Sequence, residues 1–268
     1  LTRTDYLRQW TWFKIQAGWR YGLTRALAQT IPLYIVNEYP RSGGTWLSQM
    51  LSSAMGIHFQ RLGLVRPFPS VIHAHYRSPF ALRNVCILWR DGRDALVSLY
   101  HHLYFSDDVN NSLVVDTTRR RLPLKDPALV KENLPKFIEA VFEKKISPAR
   151  FTWDEFVRNW IDRPGVAYAR YEDLRAQTLS EIKRICSTLS RDVSDDCVAH
   201  AVEEFSFERV SGRPPGQENK HSFLRRGVVG DWRNYFTRES CQVFDKYAGR
   251  ELITLKYEKD RDWAQAFG

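Results

Sequence analysis

Residues 33–55 read LYIVNEYPRSGGTWLSQMLSSAM. Leu33 to Asn37 is a short apolar run rich in β-branched and aromatic side chains, the pattern of a buried strand. Pro40 stops it, and Ser42, Gly43 and Gly44 make a turn without bulky side chains. From Thr45 onward, Trp46, Leu47, Met50, Leu51 and Met55 recur at helical spacing. The predicted order is strand, glycine turn, helix.

That order suits an anion. The first turn of a helix offers unpaired N–H groups and the positive end of the dipole. Two glycines let a phosphate approach the backbone, Arg41 adds a planar fork of donors, and Ser42 and Thr45 add hydroxyls. An ordinary tight turn between a strand and a helix has the same sequence features. The stretch is not a nucleotide-triphosphate loop, because its basic residue precedes the glycines and no lysine precedes Thr45. Arginine with backbone amides implies phosphate binding without a metal.

Further along the chain the same alternation recurs. Val71 to His75 (VIHAH), Val85 to Trp89 (VCILW) and Val166 to Tyr171 (VAYARY) read as strands, the second as continuous as a central parallel strand requires. Val85 to Trp89 runs into Arg90-Asp91-Gly92-Arg93-Asp94 and a helix carrying Ala95, Leu96, Leu99 and Leu103 on one face. Ligands of open parallel sheets sit at that strand edge. Residues 128–145, 152–162, 178–189, 195–204 and 239–247 read as helical, with Pro148 between the first two. Residues 105–127 have little periodicity and read as an insertion or mobile loop; residues 211–221 read as a surface loop. The expected fold is α/β, one domain with a central parallel β-sheet flanked by helices, spanning residues 31–268.

Residues 1–30 form a separate basic, aromatic, amphipathic helical segment, with Trp10, Trp12, Phe13, Trp19 and Tyr21 among Arg3, Arg8, Lys14, Arg20 and Arg25. It either packs its aromatic face on the domain or makes peripheral membrane contact. The chain starts at Leu1 rather than Met, which leaves open a removed N-terminal segment. Hydrophobic residues at 43% and charged residues at 26% are ordinary for a globular protein. No apolar run reaches the length of a membrane span. Net charge of +9 favours anionic partners without choosing among them. Cys86, Cys186, Cys197 and Cys241 lack C-x-x-C spacing and read as reduced thiols of a cytoplasmic protein, with no zinc site among them.

Four separated segments, in order, resemble the sulfotransferases that use 3′-phosphoadenosine 5′-phosphosulfate (PAPS). They are Tyr39-Pro40-Arg41-Ser42-Gly43-Gly44-Thr45-Trp46; Arg90 through His102; Tyr171-Glu172-Asp173-Leu174; and Arg225-Arg226-Gly227 followed by Gly230 through Thr237. The resemblance implies a P-loop-like 5′-phosphosulfate-binding strand-loop-helix at Arg41, Ser42, Gly43, Gly44 and Thr45. It implies a 3′-phosphate site from Arg90, Ser98, Arg225, Arg226 and the Gly227 N–H, and adenine contacts from Trp46, Tyr171 and Phe207 with Ser206 beside it. A sulfuryl group would pass from PAPS to a hydroxyl or amine of a small molecule, lipid or carbohydrate, leaving adenosine 3′,5′-bisphosphate (PAP), with no metal. Arg41 stands where the family often has lysine and is assigned to the leaving-group phosphate.

His75 resembles the histidine that takes the acceptor's proton in the cytosolic branch, with His73 in place of that branch's lysine. Other branches use a carboxylate, which keeps Glu38 and the acids of 105–127 open. Each residue also has a plain structural reading: Arg90 as an ion pair with Asp94, Trp46 as core, Tyr171 as a strand end, Arg225 and Arg226 as a solvated turn, His75 as a satisfied core histidine. The segment after Gly-Asp-Trp lacks the valine of the family's dimer motif, so the oligomeric state stays open. The rival function is a phosphate-recognising nucleic-acid or nucleotide-binding protein without transferase activity; the separate loop positions of the basic residues argue against a continuous nucleic-acid groove.

Overall fold

Apolar strands pair in parallel at the centre of the computed structural model, which describes residues 3–61, 63–106, 112–146, 149–222 and 224–267. The strands are β1 (Leu33–Glu38), β2 (His58–Gln60), β3 (Ser70–Ala74), β4 (Val85–Trp89) and β5 (Val166–Arg170), in the order β2-β3-β1-β4-β5. Every pairing is parallel, and central β1 is buried along its whole length, as a strand covered on both faces must be. The helices are α1 (Arg3–Leu27), α2 (Gly44–Met55), α3 (Gly92–Phe105), α4 (Ser112–Arg121), α5 (Val130–Phe142), α6 (Trp153–Trp160), α7 (Tyr171–Ala176), α8 (Thr178–Thr188), α9 (Asp195–Glu204), α10 (Phe207–Ser211), α11 (Arg238–Thr254) and α12 (Trp263–Ala266). The expected α/β class with a parallel sheet is observed.

The chain divides into two units. The first comprises the chain up to Glu38, Gly43–Trp89 and Asp162–Ser206; the second comprises Tyr39–Ser42, Arg90–Ile161 and the chain from Phe207 onward. In the first, side chains alternate between the two faces of the sheet. Tyr34, Val36, Val71, Cys86 and Leu88 pack with Leu47, Met50 and Leu51 of α2 and with residues of α8 and α9. Leu33 and Ile72 point the other way and meet Ala28, Leu23 and Leu27 at the end of α1. Helix α1 therefore lies in the same unit as the sheet. Its Thr24 Oγ1 bonds Tyr76 Oη at 2.8 Å, and Arg20 donates to the Gln60 carbonyl at 2.7 Å. Trp12 and Trp19, 62% and 65% exposed, do not join that packing. Among the described residues no helix is long and apolar enough to cross a membrane.

The second unit is helical around an aromatic core. Trp153, Phe156, Phe137, Trp232 and Phe244 are all nearly inaccessible. Gly92 begins α3 where a Cβ would lie 2.7 Å from Trp153, so only glycine fits. Asp91 caps α3 by accepting from the Arg93 N–H at 2.9 Å. Asp94, in the first turn, accepts from the backbone N–H groups of Gly230 (2.7 Å) and Trp232 (2.8 Å). It thereby ties α3 to a short 3-10 helix over Asp231–Asn234.

Three expectations require correction, and one strand is additional. Residues 105–127 are not an unstructured insertion, since α4 occupies Ser112–Arg121 with Val115, Thr117 and Thr118 buried. Four β-branched residues hide the helical period there, while three arginines in the last turn suit the helix dipole. Strand β2 is not marked in the sequence, because three residues with Phe59 as the one apolar member carry no periodic signal. Strand β3 ends one residue early, leaving His75 just beyond it, and Tyr171 opens α7 rather than closing β5. Pro148 lies outside the described residues.

Asp94→Ala should destabilise the protein by about 2 kcal/mol, measured by urea unfolding with an unchanged m-value. Two charge-assisted bonds to amides are lost, partly offset because burial itself disfavours this carboxylate and raises its pKa.

Candidate active site

In the first unit, the register of β1 on β3 assembles the chemistry. Val36 lies opposite His73 and Asn37 opposite Ala74. Alternation then puts Glu38, His73 and His75 on one face, the face that α2 covers. His73 Nε2 is 3.0 Å from Glu38 Oε1, and Glu38 Oε2 accepts from the Gly44 N–H. His75 Nδ1 is 3.0 Å from the Glu38 carbonyl oxygen. A carbonyl only accepts, so Nδ1 carries the proton and Nε2 keeps its lone pair. The chain past β3 is held by Asn37, buried, whose amide bonds the Tyr76 carbonyl (3.0 Å) and N–H (2.6 Å).

Burial alone would raise the Glu38 carboxyl; hydrogen bonding and charge from His73, aided by His75 and the Gly44 amide, outweigh it and hold it below the usual carboxylate range. Loss of hydration, then the neighbouring His73, push His75 below the ordinary histidine value despite the opposing pull of Glu38. His75 nonetheless keeps an open face.

Gly43 precedes α2 with φ of 102°, left-handed, and gives the helix no side-chain cap. A Cβ on Gly43 would come 2.8 Å from the Tyr171 ring; one on Gly44 would come 2.6 Å from the Glu38 carboxyl carbon. Thr45 is buried and its hydroxyl has no hydrogen-bond partner among the described residues. Trp46 Nε1 donates to the Phe205 carbonyl at 2.8 Å, and its ring meets Tyr171 edge-on at 6.1 Å. Trp46 and Tyr171 are thus brought together, and Ser206 follows Phe205 directly. Trp46 is half-buried rather than sealed in the core.

In the second unit, Arg41 has φ of 74°, a conformation that a non-glycine residue adopts only when its surroundings enforce it. Arg90 Nη1 donates to the Arg41 carbonyl at 2.8 Å, and Arg41 Nε donates to Ser98 Oγ at 3.2 Å. Trp153 Nε1 donates to the Arg90 carbonyl at 3.2 Å, steadying the start of the segment. Arg90 Nη2 also reaches the Val228 carbonyl at 3.5 Å, next to Gly227. Arg41, Ser98, Arg90 and the 225–228 turn are therefore one cluster. Ser42 is buried, and its hydroxyl has no partner among the described residues.

Arg225 and Arg226 are not a solvated turn. Arg225 is buried and donates to both Glu218 and Asp231, and Arg226 Nη1 donates to Asp231 Oδ1 at 2.6 Å. The Phe207 ring lies on Gly227, where a Cβ would be 2.5 Å away. Sequence reasoning missed Glu218 and the Glu38–Gly44 bond. A carboxylate ending a fully buried strand was the available signal for Glu38, because such a charge needs partners; nothing in the polar 211–221 loop marked Glu218.

The sequence matches the sulfotransferase domain family over residues 80–256. It is similar to sulfotransferase 1B1 of Mus musculus, 28% identical across 84% of this chain and 85% of that one. It is also similar to the amine sulfotransferase of Oryctolagus cuniculus, 24% identical across 81% and 79%. Among solved structures, the fold resembles mouse sulfotransferase SULT7A1 complexed with PAP, with a TM-score of 0.61, 19% identity and coverage of 92% and 93%. It also resembles retinol dehydratase in a complex with retinol and PAP, with a TM-score of 0.60, 17% identity and coverage of 92% and 86%.

Gly44→Ala should cost about 2 kcal/mol, since the new methyl overpacks the Glu38 carboxyl. In a Glu38→Ala background the same change should cost less than about 0.5 kcal/mol, the non-additivity expected of residues in contact. Urea unfolding of the four proteins measures both; equal costs in the two backgrounds would rule out the collision.

Proposed function

The chain belongs to the sulfotransferase family and transfers a sulfuryl group, and we propose that its donor is PAPS, its nucleotide product PAP, and its acceptor a small molecule bearing a hydroxyl or amine. The observation that carries the donor assignment is a strained Arg41 whose carbonyl is held by Arg90 and whose guanidinium reaches Ser98. Buried hydroxyls at Ser42 and Thr45 with no partner among the described residues, and an α2 start without a side-chain cap, fit an oxyanion. A relative named for an amine and a fold neighbour holding retinol support a small acceptor. The binding-only alternative is not favoured, because the kinship is with transferases.

PAPS supplies the sulfuryl group. Arg41 and the amides of Gly43 and Thr45 would hold its 5′ end, with Ser42 and Thr45 donating hydroxyl bonds and Gly44, its amide engaged by Glu38, leaving room for the phosphate to approach. Arg41 would offset charge gathering on the leaving-group phosphate, an electrostatic role in which a positioned guanidinium acts without reorganising. To do so it gives up Ser98, which then joins Arg90, Arg225, Arg226 and the Gly227 N–H at the 3′-phosphate. A phosphate there competes with the carboxylates of Glu218 and Asp231 for the two arginines. Trp46, Tyr171 and Phe207, with Ser206, would contact the adenine. His75 takes the acceptor's proton at Nε2, its tautomer set by the Glu38 carbonyl. His73, fastened to Glu38, is the second nitrogen base at hand.

We also read the exposed Trp12, Ile15 and Trp19, spaced along one side of basic helix α1, as a peripheral contact with an anionic membrane surface. Cys86, Cys186 and Cys241, buried and free, and exposed free Cys197, fit a reducing cytoplasmic setting.

Radiolabelled PAPS offered with pooled phenols, alcohols and amines should yield a labelled product. Arg41→Ala and Arg90→Ala should each weaken PAP binding at least about tenfold by calorimetry, the value of one charge-assisted bond. His75→Asn should lower kcat about 100- to 10,000-fold with PAP affinity unchanged; a loss of PAP affinity instead would assign His75 to the donor. Vesicles containing phosphatidylserine should co-sediment the protein, and Trp12→Ala/Trp19→Ala should release it into the supernatant.

A further inference from the structure

We propose that Glu38, His73 and His75 form a binding site for a single zinc ion in the first unit. The site rests on geometry independent of any nucleotide; its consequence for transfer rests on the role given above to His75.

Each of the three residues offers one ligand atom, and the three atoms lie within 4.8 Å of one another. Two imidazoles and one carboxylate are a zinc donor set, as magnesium or calcium would call for oxygen ligands. The nearest pair, His73 Nε2 and Glu38 Oε1, is already 3.0 Å apart. Two ligands at ~2.05 Å from a tetrahedral ion stand roughly 3.3 Å apart, so the pair opens only by a few tenths of an ångström. The His73 and His75 rings, with centroids 4.8 Å apart, close the third side by small side-chain rotations.

The supporting bonds are those of a metal site. The second carboxylate oxygen of Glu38 is held by the Gly44 N–H, which fixes the plane of the carboxylate. The His75 segment is fixed by Asn37 on the Tyr76 backbone. Zinc ligation through Nε2 places the His73 ring proton on Nδ1, the tautomer in which Nε2 offers its lone pair. The open face of His75 provides an entry path and leaves the fourth position to water. Occupancy engages the histidine pair and stops either ring from accepting a proton from the acceptor. Zinc is then an inhibitor that leaves donor binding intact.

The test uses the full chain stripped with a chelator and titrated with zinc alone, with free zinc followed by a chromophoric competitor. One equivalent should bind, and Glu38→Gln, His73→Gln and His75→Asn should each weaken it at least tenfold. Cobalt in place of zinc should give the visible absorption of a tetrahedral site in the wild type and lose it in the variants. His75→Asn, on the open face, keeps the comparison meaningful if Glu38→Gln does not fold. No zinc uptake by the wild type, or uptake that the three substitutions leave unchanged, overturns the proposal. If zinc binds and lowers transfer while calorimetry shows PAP affinity unchanged, both the site and the role of His75 stand. Zinc binding without loss of transfer keeps the site and removes His75 as the proton acceptor.

Discussion

A single buried carboxylate organises the first unit. Glu38 ends β1, where the sheet stops supplying backbone partners, and its two oxygens reach in different directions, one to the first amide of α2 and one to His73. Removing a carboxylate from water is costly unless it is hydrogen-bonded. Here the amide sits at the positive end of a helix dipole, which favours a negative charge. The same bond sets where α2 begins, and that fixes Gly43, Gly44 and Thr45. It also dictates composition: Gly44 has no room for a side chain because the Glu38 carboxyl occupies it. One amide of the turn is thus already committed.

The second unit handles its buried charges differently. Asp94 accepts from two backbone amides, Asp91 pairs with Arg93 at 2.8 Å, and Asp231 carries Arg225 and Arg226 together. Burial would depress the Arg225 guanidinium, yet Asp231 and Glu218 more than compensate and raise it. A buried ion pair of this kind adds little net stability. Its effect is to hold two guanidinium groups in fixed positions. Glu218 comes from the 211–221 loop and Asp231 from the 3-10 helix, so only the latter is tied to α3 through its neighbours.

Much of this was legible in the residues. Strands β1, β3, β4 and β5 are continuous apolar runs, and continuity survives without knowledge of partners. Arg41, Gly43, Gly44 and Arg90 stand at strand ends, and their types alone suggest an anion. What could not be read is whatever depends on register. Glu38 and His73 are 35 positions apart, and they meet because Val36 pairs with His73 rather than with a neighbour one residue away. A slip of one residue would turn both histidines to the other face. Helix α4 stayed hidden because Val114, Val115, Thr117 and Thr118 imitate a strand.

Arg41 shows why the two kinds of information differ. Its side-chain type suggests an anionic partner, but its backbone at φ of 74° shows that the position is enforced. Such a conformation costs of order 1–3 kcal/mol. Lysine there would carry the same charge without the planar fork that can engage Ser98 and a phosphate oxygen from one fixed stem. The bond from Arg90 to the Arg41 carbonyl stabilises the strained turn, and it uses a residue whose own placement depends on Trp153. The arginine proposed to meet the 3′-phosphate is thereby also the arginine that shapes the Arg41 turn. Substituting Arg90 alters charge and geometry at once, and a conservative exchange to lysine would keep the first while losing the second.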